Sequence, residues 1–268
     1  MSHLMEALVD WFASRGTLSK LAIVDFGVQW AAFSVASVFK TEKFYDLTGS
    51  CTFLLVAYLA YKWHNIGHPR QLIQTGCVSM WALRLGLYLF TRILKDGKDR
   101  RFDKMRGDPM KFFNAWTLQG VWVFVTILPS LLAILSPRQR PLSTRDYVGW
   151  GIWLTGYLIE VVADYQKSSF RNNPANKDKF INTGLWALSR HPNYFGEIML
   201  WFGLYISASS TFSGWEYLTI LCPLLDYFLI TRVSGIPLLE RYARKKWGLL
   251  QQYQEYVEKT PVLIPFLS

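Results

Sequence analysis

The chain has 268 residues, 51% of them hydrophobic, with twelve Trp, eighteen Phe and a formal net charge of +10. Its three cysteines (Cys51, Cys77, Cys222) are odd in number and lie inside apolar runs, which argues against a disulfide framework; its four histidines share no ligand spacing with them, so no metal centre is expected. The basic excess is divided among the segments between apolar runs, a pattern of membrane orientation rather than of nucleic-acid binding.

A bilayer core takes roughly 20 largely apolar residues per helix. Seven stretches approach that length: Leu21 to Phe39, Leu47 to Trp63, Ile73 to Leu94, Leu118 to Leu135, Val148 to Ala163, Phe195 to Ser210 and Trp215 to Ile230. The expected fold is all-α, a polytopic membrane bundle of about seven transmembrane helices. With that count, nineteen Lys and Arg fall in the connections of one side and seven in those of the other, which places the C-terminus in the cytosol and the N-terminus outside.

Residues 1 to 20 read as a short amphipathic lead with Leu4, Leu8, Trp11 and Phe12 near one face; they lack the pattern of a cleavable signal, so the first span is the expected insertion signal. That span carries Asp25 and Gln29 at i and i+4, aimed at one neighbour, either as a functional pair or as a helix-to-helix hydrogen bond. Tyr45 and Asp46 open the second span, as a cap with an aromatic anchor or as an acid and phenol available for chemistry. His64 and His68 follow it as loop residues. Arg84, Tyr88 and Arg92 form a polar stripe down the third span, with Arg84 too deep to reach the interface. From Lys95 to Lys111 bases alternate with Asp96, Asp99, Asp103 and Asp108, as on a self-paired surface. Ser136 to Arg145 is a Pro-containing turn. The fifth span ends on Glu160 and Asp164, before a polar loop containing Arg171, Asn172, Asn173 and Asn176.

The densest polar cluster is Thr183 to Gly203, TGLWALSRHPNYFGEIMLWFG. Gly184 suits a tight turn, and Pro192 biases His191 toward an extended shape, so Ser189 to Asn193 is expected to bend and deliver Arg190, His191, Asn193 and Tyr194 to one place. A helix starting near Asn193 would put Asn193 and Glu197 on one face, with a carboxylate in the first turn of a span that needs a partner or a ligand.

The run SRHPNYFGE resembles the C-terminal domain of the steroid 5-alpha-reductase family, most closely its branch of uncharacterised membrane proteins. The likeness covers about Tyr157 to Ser268 and extends faintly to FYDLTGS at Phe44 to Ser50. Isoprenylcysteine and phospholipid methyltransferases carry a similar Arg-His-Pro-x-Tyr element, while the Gly196-Glu197 continuation favours the reductases. The resemblance implies NADPH held by Asp164, Arg171, Arg190, His191, Asn193, Tyr194, Glu197 and Arg232, in an endoplasmic reticulum protein. There is no GxGxxG or P-loop, so the dinucleotide would bind without a Rossmann unit.

Reduction of an enone also needs a group that polarises the carbonyl oxygen. Tyr45 and Asp46 are the candidates, with Arg84 or Tyr88 assisting. In this reading residues 1–268 form a single integral membrane domain in which 1–116 line the substrate side and 117–268 bind the cofactor, and the substrate is a lipidic small molecule. The chain lacks the Gln-Glu pair of steroid reductases and has Arg84 near where their next Tyr would fall, so the cofactor carries over more readily than a steroid substrate. Two other readings stay open: an S-adenosylmethionine-dependent lipid or prenylcysteine methyltransferase, which typically shows paired Glu where this chain has Leu239 and Glu240, and a non-catalytic scaffold subunit.

From Leu238 to Tyr256 the sequence has helical periodicity with a basic face, as expected of a cytosolic helix lying along the membrane.

Overall fold

A computed structural model describes residues 16–267; residues 1–15, and with them most of the expected amphipathic lead, lie outside the described residues. Every regular element among the described residues is helical. In chain order these are α1 (Thr17–Phe39), α2 (Tyr45–His64), α3 (Pro69–Asp96), α4 (Pro109–Leu135), α5 (Thr144–Asn172), α6 (Pro192–Ala208), α7 (Leu221–Phe228), α8 (Ile236–Trp247) and α9 (Gln251–Lys259), with short 3-10 turns between several of them. Among the described residues, four helical stretches are long and apolar enough to cross a membrane: Thr17–Phe39, Pro69–Asp96, Pro109–Leu135 and the run Gly214–Trp247. At 17 residues α6 spans only about 26 Å, and α5 carries Asp146, Glu160 and Asp164 in its buried face.

Local chemistry sets the helix ends. Proline at the first helical position opens α3, α4 and α6, where its missing N–H costs nothing. His68 caps α3 by accepting from the Arg70 N–H at 3.2 Å, and Asp108 caps α4 by accepting from Lys111 N–H at 3.2 Å. Asp146 closes a capping box on α5 by accepting from the Ser143 N–H at 2.8 Å.

Two expectations need correction. The apolar arm Trp215 to Ile230 is not one α-helix: it runs as a 3-10 turn over Gly214–Ile220, then α7, then a π turn over Leu229–Val233. Pro223 explains the first break, since its ring excludes a regular α-helical carbonyl four residues earlier. The periodicity from Leu238 to Tyr256 is likewise split. α8 stops at Trp247: the Gly248 N–H closes its last turn on the Arg244 carbonyl, and Leu250 is extended before α9 begins.

The chain forms two compact units, one ending at Arg140 and the other beginning at Pro141. In the first, α2 packs on α1, α3 and α4, and α4 also packs on α1 and α3. Phe53 meets Trp81 and Trp122 edge-on, with ring centroids 5.1 and 5.3 Å away. Polar groups inside this bundle pair across helices: the Gln29 amide donates to Thr52 Oγ1 (3.1 Å), Gln74 to Ser130 Oγ (3.0 Å), and the buried Arg70 to Gln139 Oε1 (3.0 Å). Gln29 thus takes the helix-to-helix role.

Tyr45 is set in an aromatic cluster, 4.7 Å from Phe102 and 5.0 Å from Trp116 between centroids, and its hydroxyl donates to the Ala115 carbonyl at 2.9 Å. Asp46 pairs with Arg101 at 3.2 Å, and Arg101 also with Asp99 at 2.6 Å. Arg106 reaches the buried Glu42 at 3.1 Å, which itself accepts from the Asp99 N–H at 2.7 Å. The Lys95 to Lys111 loop is therefore largely paired within itself and with the α1–α2 connection.

In the second unit α5 and α6 run antiparallel with their backbones in contact. A Cβ at Gly156 would stand 2.6 Å from the Gly196 carbonyl oxygen and 2.8 Å from Leu200 N; one at Gly203 would stand 2.6 Å from both Gly149 O and Trp153 N. Gly149 thus faces Gly203 and Gly156 faces Gly196, two helical turns apart. In lipid, where apolar transfer between helices contributes little, such small-residue seams are a main source of helix adhesion.

A leucine at Gly156 cannot be accommodated by side-chain motion, because what it meets is backbone. We expect Gly156→Leu to cost at least the ~1–3 kcal/mol of ordinary overpacking, while Gly151→Ala, with open space around it, stays within about 1 kcal/mol of the parent; unfolding in detergent micelles measures both. Tyr45→Phe should destabilise by about 1 kcal/mol, the worth of one hydrogen bond, in the same measurement.

Candidate functional site

The segment between α5 and α6 is held from both sides. Gly184 takes φ +62°, and a Cβ there would lie 2.6 Å from the Gln166 amide, whose oxygen accepts from Leu185 N–H at 3.0 Å. The positive φ is what calls for glycine here, and a side chain would also have to push the Gln166 amide aside. Trp186 is buried and donates its indole N–H to the Ala163 carbonyl at 3.0 Å, and its own carbonyl accepts from Tyr256 Oη at 2.6 Å. The bend expected at Ser189 to Asn193 is tied to the C-terminal segment: Arg190 N–H donates to the Pro261 carbonyl at 2.9 Å, and Ser189 Oγ to that of Leu263 at 2.7 Å. Ser189 Oγ also accepts from His191 N–H at 3.2 Å.

Arg190 and His191 leave this bend together and meet one carboxylate. Arg190 Nη1 donates to Glu240 Oε2 at 2.6 Å, and His191 Nε2 lies 2.8 Å from Glu240 Oε1. Their side chains are 12% and 6% exposed, against 21% for Glu240. Burial pulls the His191 pKa below its ordinary value, and Lys167 and Arg190 add to that against the pull of Glu240. With a neutral imidazole, the short contact to a carboxylate puts the proton on Nε2 and leaves Nδ1 a lone pair. That atom and Arg190 Nε are buried and have no hydrogen-bond partner among the described residues. The pair therefore offers one unused acceptor and one unused donor.

These groups border a cavity of about 120 Å³ in the second unit. Its wall includes four cations (Lys167, Arg171, Lys179 and Arg190), one carboxylate (Glu240) and an aromatic group of Trp186, Phe180, Trp247, Tyr253 and Tyr256. Phe180 packs on Tyr253 and Tyr256 at 5.2 and 5.4 Å between centroids, and Lys167 Nζ stands 4.3 Å over the Trp186 ring. The far end of α8 is anchored by Lys246 to Asp178 at 2.8 Å.

Of the residues singled out in the sequence, Arg171, Arg190 and His191 border this cavity. Tyr194 lies nearly parallel to His191, 5.9 Å between centroids, and Asn193 donates to Asp164 Oδ1 at 3.3 Å across the α5–α6 seam. Glu197 is half-buried one turn further along α6, while Arg232 is exposed in the π turn. Tyr45, Asp46, Arg84 and Tyr88 all belong to the first unit; Arg84 and Tyr88 are half-buried on α3, with the Arg92 guanidinium 6.0 Å over the Tyr88 ring. Glu240 was not singled out as a site residue. The signal available was its isolation, one acid amid the bases of LLERYARKKW.

The expected likeness to steroid reductases is present. The chain is similar to 3-oxo-5-alpha-steroid 4-dehydrogenase 1 of Macaca fascicularis, 32% identical over 123 residues that cover 46% of this chain and 41% of that protein. It is also similar to an uncharacterized protein of Schizosaccharomyces pombe, 23% identical over 224 residues (72% of this chain, 64% of that one). A third relative is a probable O-methyltransferase of Ustilaginoidea virens, 29% identical over 147 residues (46% of this chain, 52% of that one). The chain thus spans less than two thirds of the length of each of these relatives. No solved structure matches it. Residues 32–260 match the family described as "Protein of unknown function (DUF1295)", and the chain belongs to that family.

Proposed function

We propose that this chain is a membrane-embedded, NADPH-dependent reductase of a carbon-carbon double bond in a sterol-like or other lipidic enone. The observation that carries the reading is the cation-lined cavity at the start of α6, where Arg190 Nε and His191 Nδ1 are buried with no partner among the described residues. An unused donor beside an unused acceptor suits a group that both accepts and donates, such as a ribose hydroxyl or a carboxamide. Arg171, Arg190, Lys167 and Lys179 would hold phosphates, Trp186 would face a ring, and Asp164 with Asn193 would hold the sugar or amide end. The N-terminal end of α6 adds a favourable potential for an anion. The cavity is smaller than the 300–1,000 Å³ usual for a whole ligand, so it fits part of a dinucleotide.

When bound, NADPH supplies the hydride. The chain's own residues hold the phosphates, orient the nicotinamide end and polarise the substrate oxygen. For the last task the candidates are Tyr45 and Asp46, with Arg84 or Tyr88 assisting; Tyr45 already donates to the Ala115 carbonyl and Asp46 already pairs with Arg101. The same reading takes seven spans, a cytosolic C-terminus and an endoplasmic reticulum location. A second reading, methyl transfer from S-adenosylmethionine, draws support from the O-methyltransferase relative.

Calorimetric titration of the chain in nanodiscs separates the two. NADPH is expected to bind and S-adenosylmethionine not to; the reverse result sinks the reductase. Arg190→Leu should weaken NADPH at least tenfold, in keeping with loss of a charge-assisted hydrogen bond. Enone reduction is followed by loss of the reduced nicotinamide absorbance.

The lowered His191 pKa gives a pH signature. The unfolded chain binds that proton more tightly than the folded one, so stability rises with pH up to the ordinary value of 6.5 and then levels off. Subtracting the melting profile of His191→Gln from the parent's, measured from mildly acidic to neutral pH, should reveal that rise; equal profiles would remove His191 from the titration.

A further inference from the structure

We propose that the Glu240 carboxylate occupies the seat of a ligand's anionic group, holding Arg190 and His191 in its absence and giving way when a phosphate-bearing ligand arrives. This rests on the anion-binding reading of the cavity given above. Glu240 is then a positioning residue that sets affinity, keeping two buried groups aimed at the cavity at the cost of competing with the ligand.

Four observations carry it. Glu240 bridges Arg190 and His191 with one oxygen on each, at 2.6 and 2.8 Å, as two oxygens of a phosphate would. It engages Arg190 only through Nη1, end-on, and leaves Nε buried without an acceptor, so the planar fork that suits a phosphate is half used. It is the one carboxylate among the residues lining the cavity, against four cations, so of the charged groups there Glu240 alone repels an entering phosphate. Finally, its side chain is 21% exposed while Arg190 and His191 are 12% and 6% exposed. The carboxylate thus has solvent to turn into, and the two groups it releases do not. α8 itself need not move: Lys246 and Trp247 still hold its far end to Asp178.

Competition predicts a sign opposite to that of an ordinary binding residue. Glu240→Gln removes the competing charge while keeping an oxygen to accept from Arg190, so an anion should bind more tightly. Glu240→Asp, which retains the charge, should return affinity to near the parent value. The experiment is calorimetric titration of the full chain in nanodiscs, as parent, Glu240→Gln and Glu240→Asp, with inorganic pyrophosphate, NADPH and neutral adenosine. The expected result is about tenfold tighter pyrophosphate and NADPH binding to Glu240→Gln, with adenosine unchanged.

Equal or weaker binding of both anions to Glu240→Gln overturns the proposal and makes Glu240 either inert or a direct ligand contact. Tighter adenosine by the same factor also overturns it, since the cavity would then simply have opened. Pyrophosphate binding with the expected pattern but no NADPH binding supports the exchange and removes the reductase cofactor. No anion binding to any of the three proteins removes both.

Discussion

The contact that the second unit depends on is backbone against backbone, where Gly149 and Gly156 of α5 meet Gly203 and Gly196 of α6. Helices that touch at their main chains cannot slide, because every other register puts a side chain into the seam. The register fixed by those two glycine pairs, continued toward the start of α6, brings Asp164 to Asn193. It also sets where the α5–α6 connection must return, and so where Arg190 and His191 emerge. A polar site at the end of a short, 17-residue helix is thereby positioned by residues with no polar side chain at all.

A second layer of constraint comes from the end of the chain. Tyr256, Pro261 and Leu263 each bond to the Trp186 to Arg190 segment across about 70 residues of sequence. A loop clasped at Trp186, Ser189 and Arg190 loses little further freedom when a ligand arrives, which is the condition for a binding group to contribute its full interaction energy. The aromatic packing of Phe180 on Tyr253 and Tyr256 extends the same clasp to the rim of the cavity.

Much of this was legible because it is local. Apolar runs located the helices, and prolines at 69, 109 and 192 open three of them. Gly184 and Pro192 announced a bend, and the structure has one. What was not legible involves partners far apart in the chain. The Tyr45 hydroxyl bonds to the Ala115 carbonyl, 70 residues on, and Asp46 pairs with Arg101, 55 residues on. Glu240 lies 50 residues from Arg190, and no spacing rule connects them. The breaks at Pro223 and after Trp247 show the other limit, since hydrophobic period alone does not register a change from α to 3-10 or π winding. The glycine seam did leave a trace, a seven-residue spacing in both helices, but a trace of that kind names a sticky face without naming its partner.

The sign of the cavity's charge bears on the choice between cofactors. S-adenosylmethionine carries a sulfonium, an ammonium and one carboxylate, a net positive charge, and a wall with Lys167, Arg171, Lys179 and Arg190 against a single Glu240 would oppose that net charge while attracting the carboxylate. A dinucleotide with several phosphate charges would meet the same wall as attraction. Where the methyltransferase pattern asks for a pair of acids, this chain has Leu239 next to Glu240, so the one carboxylate present is already shared between Arg190 and His191. Displacing Glu240 from that sharing would free two buried groups for an anion. The charges lining this cavity therefore favour an anionic ligand over a cationic one.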